Sequence, residues 1–252
     1  MRVKRILICL LLVIIFVSSC QKEESFDDDK YMSINIGGVT FKMIKVEGGT
    51  FTMGASDSMP EEFPPHRVTV STFYIGETEV TQELWHAVMG NNPSYFSGSQ
   101  KPIAGVSWSS SQSFIKELNA LTGKQFRLPT EAEWEFAARG GNKSRGYIYA
   151  GSDTLRNVAW YRANSNQETR EVARKSPNEL GLYDMSGNVC EWCQDRYGSY
   201  SSSSQTNPTG PVTGNGRVFR GGSWGHDTWD CRVTSRSGFL SGMHYVGLRL
   251  AL

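Results

Sequence analysis

Three stretches of this chain carry a helical repeat, and each is short and closed by glycine, so strands and loops must account for most of the fold. Around Thr81 to Met89, the apolar residues Val80, Leu84, Ala87 and Val88 recur at helical spacing and Gly90 ends the run. Ser109-x-x-Gln112 reads as a capping box opening a second helix, with Phe114, Ile115, Leu118 and Leu121 on one face and Gly123 as its stop. Thr130-x-x-Glu133 opens a third, lined by Trp134, Ala137 and Ala138 and closed at Gly140. The other apolar runs have strand length: 39–46 and 50–53, flanking a Gly48-Gly49 hairpin signal, then 67–75, 189–193, 217–220, 231–236 and 246–250. With 26 glycines, 7 tryptophans and 10 tyrosines, the pattern is an α+β domain, rich in loops and held by aromatic packing.

The first residues read as an export signal. Arg2, Lys4 and Arg5 precede an apolar run from Ile6 to Val17, which is shorter than the roughly 20 residues a spanning helix needs. Val17-Ser18-Ser19-Cys20 has the form of a lipobox, which makes 1–19 a lipoprotein signal peptide and Cys20 the lipidated residue that anchors the chain to membrane. Residues 20–37, with Glu23, Glu24, Asp27, Asp28 and Asp29, read as an acidic tether. Lys22-Glu23-Glu24 behind the cysteine resembles the export tag of surface lipoproteins in some Gram-negative bacteria, which places the protein on the outer membrane, facing outward.

The 26 basic and 25 acidic residues nearly balance, and no basic block is present, which argues against nucleic acid as a partner. Beyond the leader and Cys20, three cysteines remain: Cys190, Cys193 and Cys231. In an oxidising compartment they allow at most one internal disulfide. On an extended strand Cys190 and Cys193 point to opposite faces, so their C-x-x-C spacing does not make a shared metal site.

Several motifs follow one another in a fixed order. They are Glu47-Gly48-Gly49-Thr50-Phe51-Thr52-Met53-Gly54, the segment from Phe73 to Thr81, Asn92-Pro93-Ser94, the segment from Arg127 to Glu135, the segment from Gly181 to Val189, and Arg220-Gly221-Gly222-Ser223-Trp224. In this order they resemble the sulfatase-modifying factor (formylglycine-generating enzyme) family over residues 38–252. The resemblance implies one domain with a variant of the C-type-lectin-like fold. It also implies calcium at Asp184 and Glu191 through side chains and at Gly187 and Val189 through carbonyls, with a second site beginning at Asn157 and Val158. Two carboxylates and carbonyl oxygens around a turn glycine form the hard donor set calcium takes. Arg127, Arg232, Arg236 and Arg249 are expected to pair with acids such as Glu131, Glu133 or Glu135.

One departure decides the functional reading. Catalytic relatives carry two cysteines five apart after the Gly-Gly-Ser-aromatic motif, and that pair binds copper(I) and oxidises a substrate cysteine. Laid on this chain without gaps, those positions are His226 and Cys231, whereas a gapped register that aligns Arg232 and Arg236 with family arginines moves Cys231 off the catalytic position. His226 and Cys231 are the candidate catalytic pair if the chain is a copper enzyme, but one thiolate is missing. The competing reading is a binding module for a protein or glycan at the cell surface. Trp224, Gly225, His226, Asp227, Thr228, Trp229 and Asp230, followed by Phe239, Leu240, His244 and Tyr245, lack periodicity and mix aromatic, small and polar residues. That mixture suits a recognition surface. The arrangement also resembles the variable proteins of diversity-generating retroelements, whose lectin-like domains vary near the C-terminus. A third reading is a structural part of a surface assembly.

Overall fold

The computed structural model describes residues 30–56, 58–239 and 244–252; the leader, Cys20, most of the expected tether and Leu240 lie outside that set. Among the described residues ten strands run in chain order: β1 (Tyr31–Ile36), β2 (Val39–Val46), β3 (Gly49–Met53), β4 (His66–Val70), β5 (Phe73–Gly76), β6 (Cys190–Arg196), β7 (Gln205–Thr206), β8 (Arg217–Arg220), β9 (Arg236–Phe239) and β10 (Val246–Leu248). Between β5 and β6 lie α1 (Gln82–Met89), α2 (Trp108–Thr122), α3 (Glu131–Ala138) and the single turn α4 (Leu155–Val158). The strands form three small sheets, ordered β1-β2-β5, β10-β6-β8-β9 and β3-β4-β7. The α+β class is as the sequence implied.

Helix ends follow local chemistry. The α3 capping box is reciprocal: Glu133 N donates to Thr130 Oγ1 at 3.2 Å, and Thr130 N donates to Glu133 Oε2 at 2.8 Å. Gly90 and Gly123, both left-handed, close α1 and α2. The cap of α2 is Ser107, not Ser109: its hydroxyl accepts from Ser110 N and leaves Ser109 inside the first turn.

Three expectations about strands change. Residues 31–36, assigned to the tether, form β1, paired to β2 from Tyr31↔Ile44 to Ile36↔Val39, with Ile34 in the core. Gly48-Gly49 makes no hairpin, because β2 pairs with β1 and β5 whereas β3 pairs with β4. The glycines instead let the chain cross between sheets where a Cβ on Gly48 would stand 2.7 Å from Val70 O. The run 67–75 likewise splits at Ser71-Thr72 into β4 and β5, which belong to different sheets. Residues 231–235 are turns, and the strand starts only at Arg236.

Strand β6 lies between the two main apolar clusters. Cys190 and Trp192 face the first, with Trp85, Phe114 and Leu248, while Cys193 faces the second, with Trp134, Phe136 and Val218. Strand alternation therefore separates the two thiols, as expected. Cys190, Cys193 and Cys231 are all free and buried.

The arginines lock these layers together. Arg127 pairs with Glu133 and Arg236 with Glu131, as expected. Arg232 instead reaches Glu62 at 2.5 Å, and Arg249 reaches Glu191 at 2.7 Å. Arg220, for which the residue pattern suggests no partner, pairs with Glu135 and Glu131. Burial opposes ionisation of Glu135, but Arg139 and Arg220 together hold its carboxyl below the usual range.

Candidate functional site

The Gly-Gly-Ser-Trp segment leaves β8 and lies directly on the 184–191 loop. Gly187 N donates to Gly221 O at 2.8 Å, and Trp224 N donates to Asn188 O at 2.8 Å. The loop is fixed from behind. Glu79, only 1% exposed, accepts from Asn188 Nδ2 and Val189 N, and Asn188 N donates to Trp160 O. Farther along, Ser165 Oγ donates to Trp224 O, Arg162 N to His226 O, and Ser186 Oγ to the carbonyl of Cys231. A loop built this way is rigid because most of its polar backbone groups have partners inside the fold.

On this frame the 224–230 segment is displayed. Asp227, Thr228, Trp229 and Asp230 are exposed, and Trp224, Gly225 and His226 are half-buried. The Trp224 ring meets Phe96 edge-on at 5.4 Å, and Tyr95 covers Phe96 in turn. Arg162 pairs with Asp227 at 2.8 Å, and Arg232 lies over the Trp229 ring. His244 is exposed and Tyr245 half-buried, its ring set edge-on to His226 at 4.5 Å. Of the expected ligand residues, His226, Asp230 and Tyr245 border one cleft, while the Trp224 ring turns to Phe96. Phe239 closes β9, and its side chain is outside the described set, as is all of Leu240.

The candidate catalytic residues are not arranged as a thiolate pair. Cys231 is fully buried with Leu155, Val158 and Ala159, and burial pushes its thiol well up, out of the nucleophilic range. The sulfur that faces His226 is that of Cys190, 3.8 Å from Nδ1, while Ser223 Oγ lies 2.7 Å from the same nitrogen. Burial also raises the Cys190 thiol, with Cys231 and Asp230 acting in the same sense, and it lowers the His226 pKa. Burial thus acts against the charged form of each of these three groups. Among the described residues no three His, Cys, Asp or Glu side chains converge as a metal group.

The calcium donors fit only in part. Asp184 is buried at a φ of 57°; its Oδ2 accepts from Ala173 N, while its Oδ1 has no partner among the described residues. Burial raises its carboxyl to about 6, against the opposing pull of the Ala173 N–H and of Arg249. Glu191 does not match the expected role: Arg249 Nε and Nη2 and Trp134 Nε1 occupy its oxygens, which turns this carboxylate into the core. Asn157 belongs to α4, where its carbonyl accepts from Ser176 N, and Val158 is buried beside it.

Known proteins share this frame. The family model described as the sulfatase-modifying factor enzyme 1-like domain matches residues 38–252. The chain belongs to that family. It is 32% identical over 239 residues to the chaperone protein LppX of Paenibacillus barcinonensis, covering 74% of this chain and 79% of that one. It is 33% identical over 225 residues to the serine/threonine-protein kinase pkn1 of Chlamydia pneumoniae, covering 77% of this chain but 35% of the kinase. The solved structure of Treponema denticola variable protein 1 overlays with a TM-score of 0.83 at 35% identity, over 88% of this chain and 98% of that one. The fold is accordingly the C-type-lectin-like α+β fold of the sulfatase-modifying factor domain. Among the described residues, no helix of this family member is long and apolar enough to cross a membrane.

Sequence reasoning missed Glu79, Arg220, Glu62 and the facing of Cys190 toward His226. Glu79 sits between Glu77 and Glu83, both only half-buried, and nothing in the local pattern marks the middle acid as the one that is buried.

Proposed function

We propose that this protein is a membrane-tethered binding module whose sulfatase-modifying factor domain presents residues 224–230 and 244–245 to a protein or glycan ligand. Residues 1–19 direct export, and lipid on Cys20 holds the domain at the outer membrane, facing outward. The observation that carries the reading is the separation of roles around the Gly-Gly-Ser-Trp segment. Its backbone is bonded into the core, whereas Asp227, Thr228, Trp229 and Asp230 project into solvent. Rigid framing with exposed aromatic and polar side chains is how recognition surfaces combine low ordering cost with contact area.

The similarity to a Treponema variable protein supports diversification of this face. The test is genomic and biochemical. Residues 224–230 and 239–245 are expected to differ between gene copies beside a reverse-transcriptase gene and template repeat, while 217–223 stay fixed. A panel of surface glycans and proteins should bind the purified domain, with Trp229→Ala weakening binding about tenfold, the scale of a well-packed aromatic anchor. An invariant face with no ligand from either class would sink the reading.

The alternative reading is copper-dependent formylglycine generation, which membership of the sulfatase-modifying factor family favours. Incubation with copper(I), oxygen and a sulfatase-motif peptide is expected to give no aldehyde. Turnover by the wild type that is lost in Cys231→Ser would make the protein an oxidase instead.

Calcium at Asp184 Oδ1, with main-chain carbonyls such as those of Gly187 and Val189 completing the shell, would add positive charge beside Glu79 and Asp184 to that of Arg249. Millimolar calcium is expected to raise the Tm of the wild type and leave Asp184→Asn unmoved; a free ligand at about 100 times its Kd is worth about 2.7 kcal/mol. Equal shifts in both proteins would remove Asp184 from the site.

A further inference from the structure

A cleft of about 230 Å³ opens beside the display face, lined among others by Met59, Glu61, Glu62, His226, Asp230 and Tyr245. We infer that it receives a primary ammonium group, that of a lysine side chain on the partner protein, an inference that rests on the binding reading above and names the chemistry of its ligand.

The first observation is an orphaned acceptor. Glu62 is 1% exposed; its Oε1 takes Arg232 at 2.5 Å, while its Oε2 is buried with no hydrogen-bond partner among the described residues. An unpaired buried oxygen on a residue that lines the cleft favours a donor arriving there.

The second is the charge balance of the lining. Two arginines, Arg220 and Arg236, also border the cleft, but each is held from behind. Arg236 grips Glu131 with Nε and Nη2 at 2.6 and 2.7 Å, and Arg220 pairs with Glu135 and Glu131. Arg232 answers Glu62, leaving the carboxylates of Glu61 and Asp230 without a charged partner among the described residues. The Asp230 carboxylate does accept from Asp227 N, at 3.2 Å, and an asparagine there could accept the same bond.

The third is size and lining. The volume falls below the roughly 300–1,000 Å³ of pockets for drug-sized ligands, so the cleft takes one side chain rather than a sugar chain. Met59, 48% exposed, and the Tyr245 and His226 rings provide apolar and aromatic surface for an alkyl stem ending in a cation. A guanidinium is planar and wider; an ammonium on a four-carbon stem is the more compact cation for a cleft of this volume with one buried acceptor in its lining.

Calorimetry with Nα-acetyl-lysine amide, its ε-acetylated analogue and Nα-acetyl-arginine amide tests the inference. The lysine amide is expected to bind at least tenfold more tightly than the acetylated form, with affinity falling as salt rises. Asp230→Asn and Glu61→Gln, on the exposed rim, should each weaken it about threefold and leave the Tm unchanged; Glu62→Gln should abolish it. Undetectable lysine-amide binding, equal affinity for the acetylated form, or rim variants without effect would overturn the inference. The binding reading is judged separately: a partner captured by the 224–230 face whose affinity survives lysine acetylation would leave that reading standing and remove this one.

Discussion

Arg249→Met is expected to destabilise the domain by about 3–5 kcal/mol, lowering the Tm by roughly 6–20 °C in a chain of this size. The side chain is fully buried. It donates from Nε and Nη2 to Glu191, from Nη1 to Gly76 O at 2.8 Å and from Nη2 to Tyr183 O at 2.7 Å. Around it lie three buried carboxylates, Glu191, Glu79 and Asp184, and burial raises the pKa of the last two. Removing the guanidinium leaves these acids without their central cation, and the unpaired carboxylates carry most of the loss. The double variant Arg249→Met with Glu191→Leu should therefore recover part of the stability. Thermal melts of the four proteins form a double-mutant cycle, and losses that simply add would show that the pair does not act as a unit.

Gly187→Ala is expected to cost about 2–5 kcal/mol and to abolish ligand binding even where the variant remains folded. Gly187 has a φ of 85°, and a Cβ there would stand 2.4 Å from Trp160 O, a backbone atom that cannot rotate away. Left-handed strain contributes about 1–3 kcal/mol and the forced backbone shift a similar amount. The shift pulls on the bond from Gly187 N to Gly221 O and, through Asn188, on Trp224. Chemical denaturation gives the stability loss, and binding by the remaining folded fraction reads the displacement of the display segment. A variant that keeps wild-type affinity would separate the 184–191 loop from the site. The resemblance cast Gly187 as a carbonyl donor to calcium; the close approach to Trp160 is a second and independent reason for a glycine at this position.

The helices and their stops were legible because their signals are local. The Thr130 and Glu133 groups that close the α3 capping box are three residues apart, and Gly90 needs only its own φ to end α1. Even so, Ser107 and not Ser109 caps α2, since two serines so close offer the same bond and the local pattern does not rank them. Strand pairing was less legible. The pattern around Gly48-Gly49 fits a hairpin, yet the partners of β2 and β3 lie elsewhere in the chain. The Met32, Ile34 and Ile36 alternation that marks β1 was masked by the acidic stretch before it.

What the sequence alone determined was the family, the α+β class, the opposite facing of Cys190 and Cys193 on β6, and the absence of a second cysteine five residues before Cys231. Each follows from residue order or from a period of two or 3.6, which the chain carries without help from distant parts. Only the tertiary structure decided which acids are buried, which arginine answers each of them, that Cys190 faces His226, and that Glu62, whose Oε2 has no partner among the described residues, lines a cleft. Those outcomes depend on groups separated by as many as 170 residues, such as Arg232 and Glu62, meeting where water is excluded. A charge on a chain says nothing of its dielectric surroundings until the fold has closed around it.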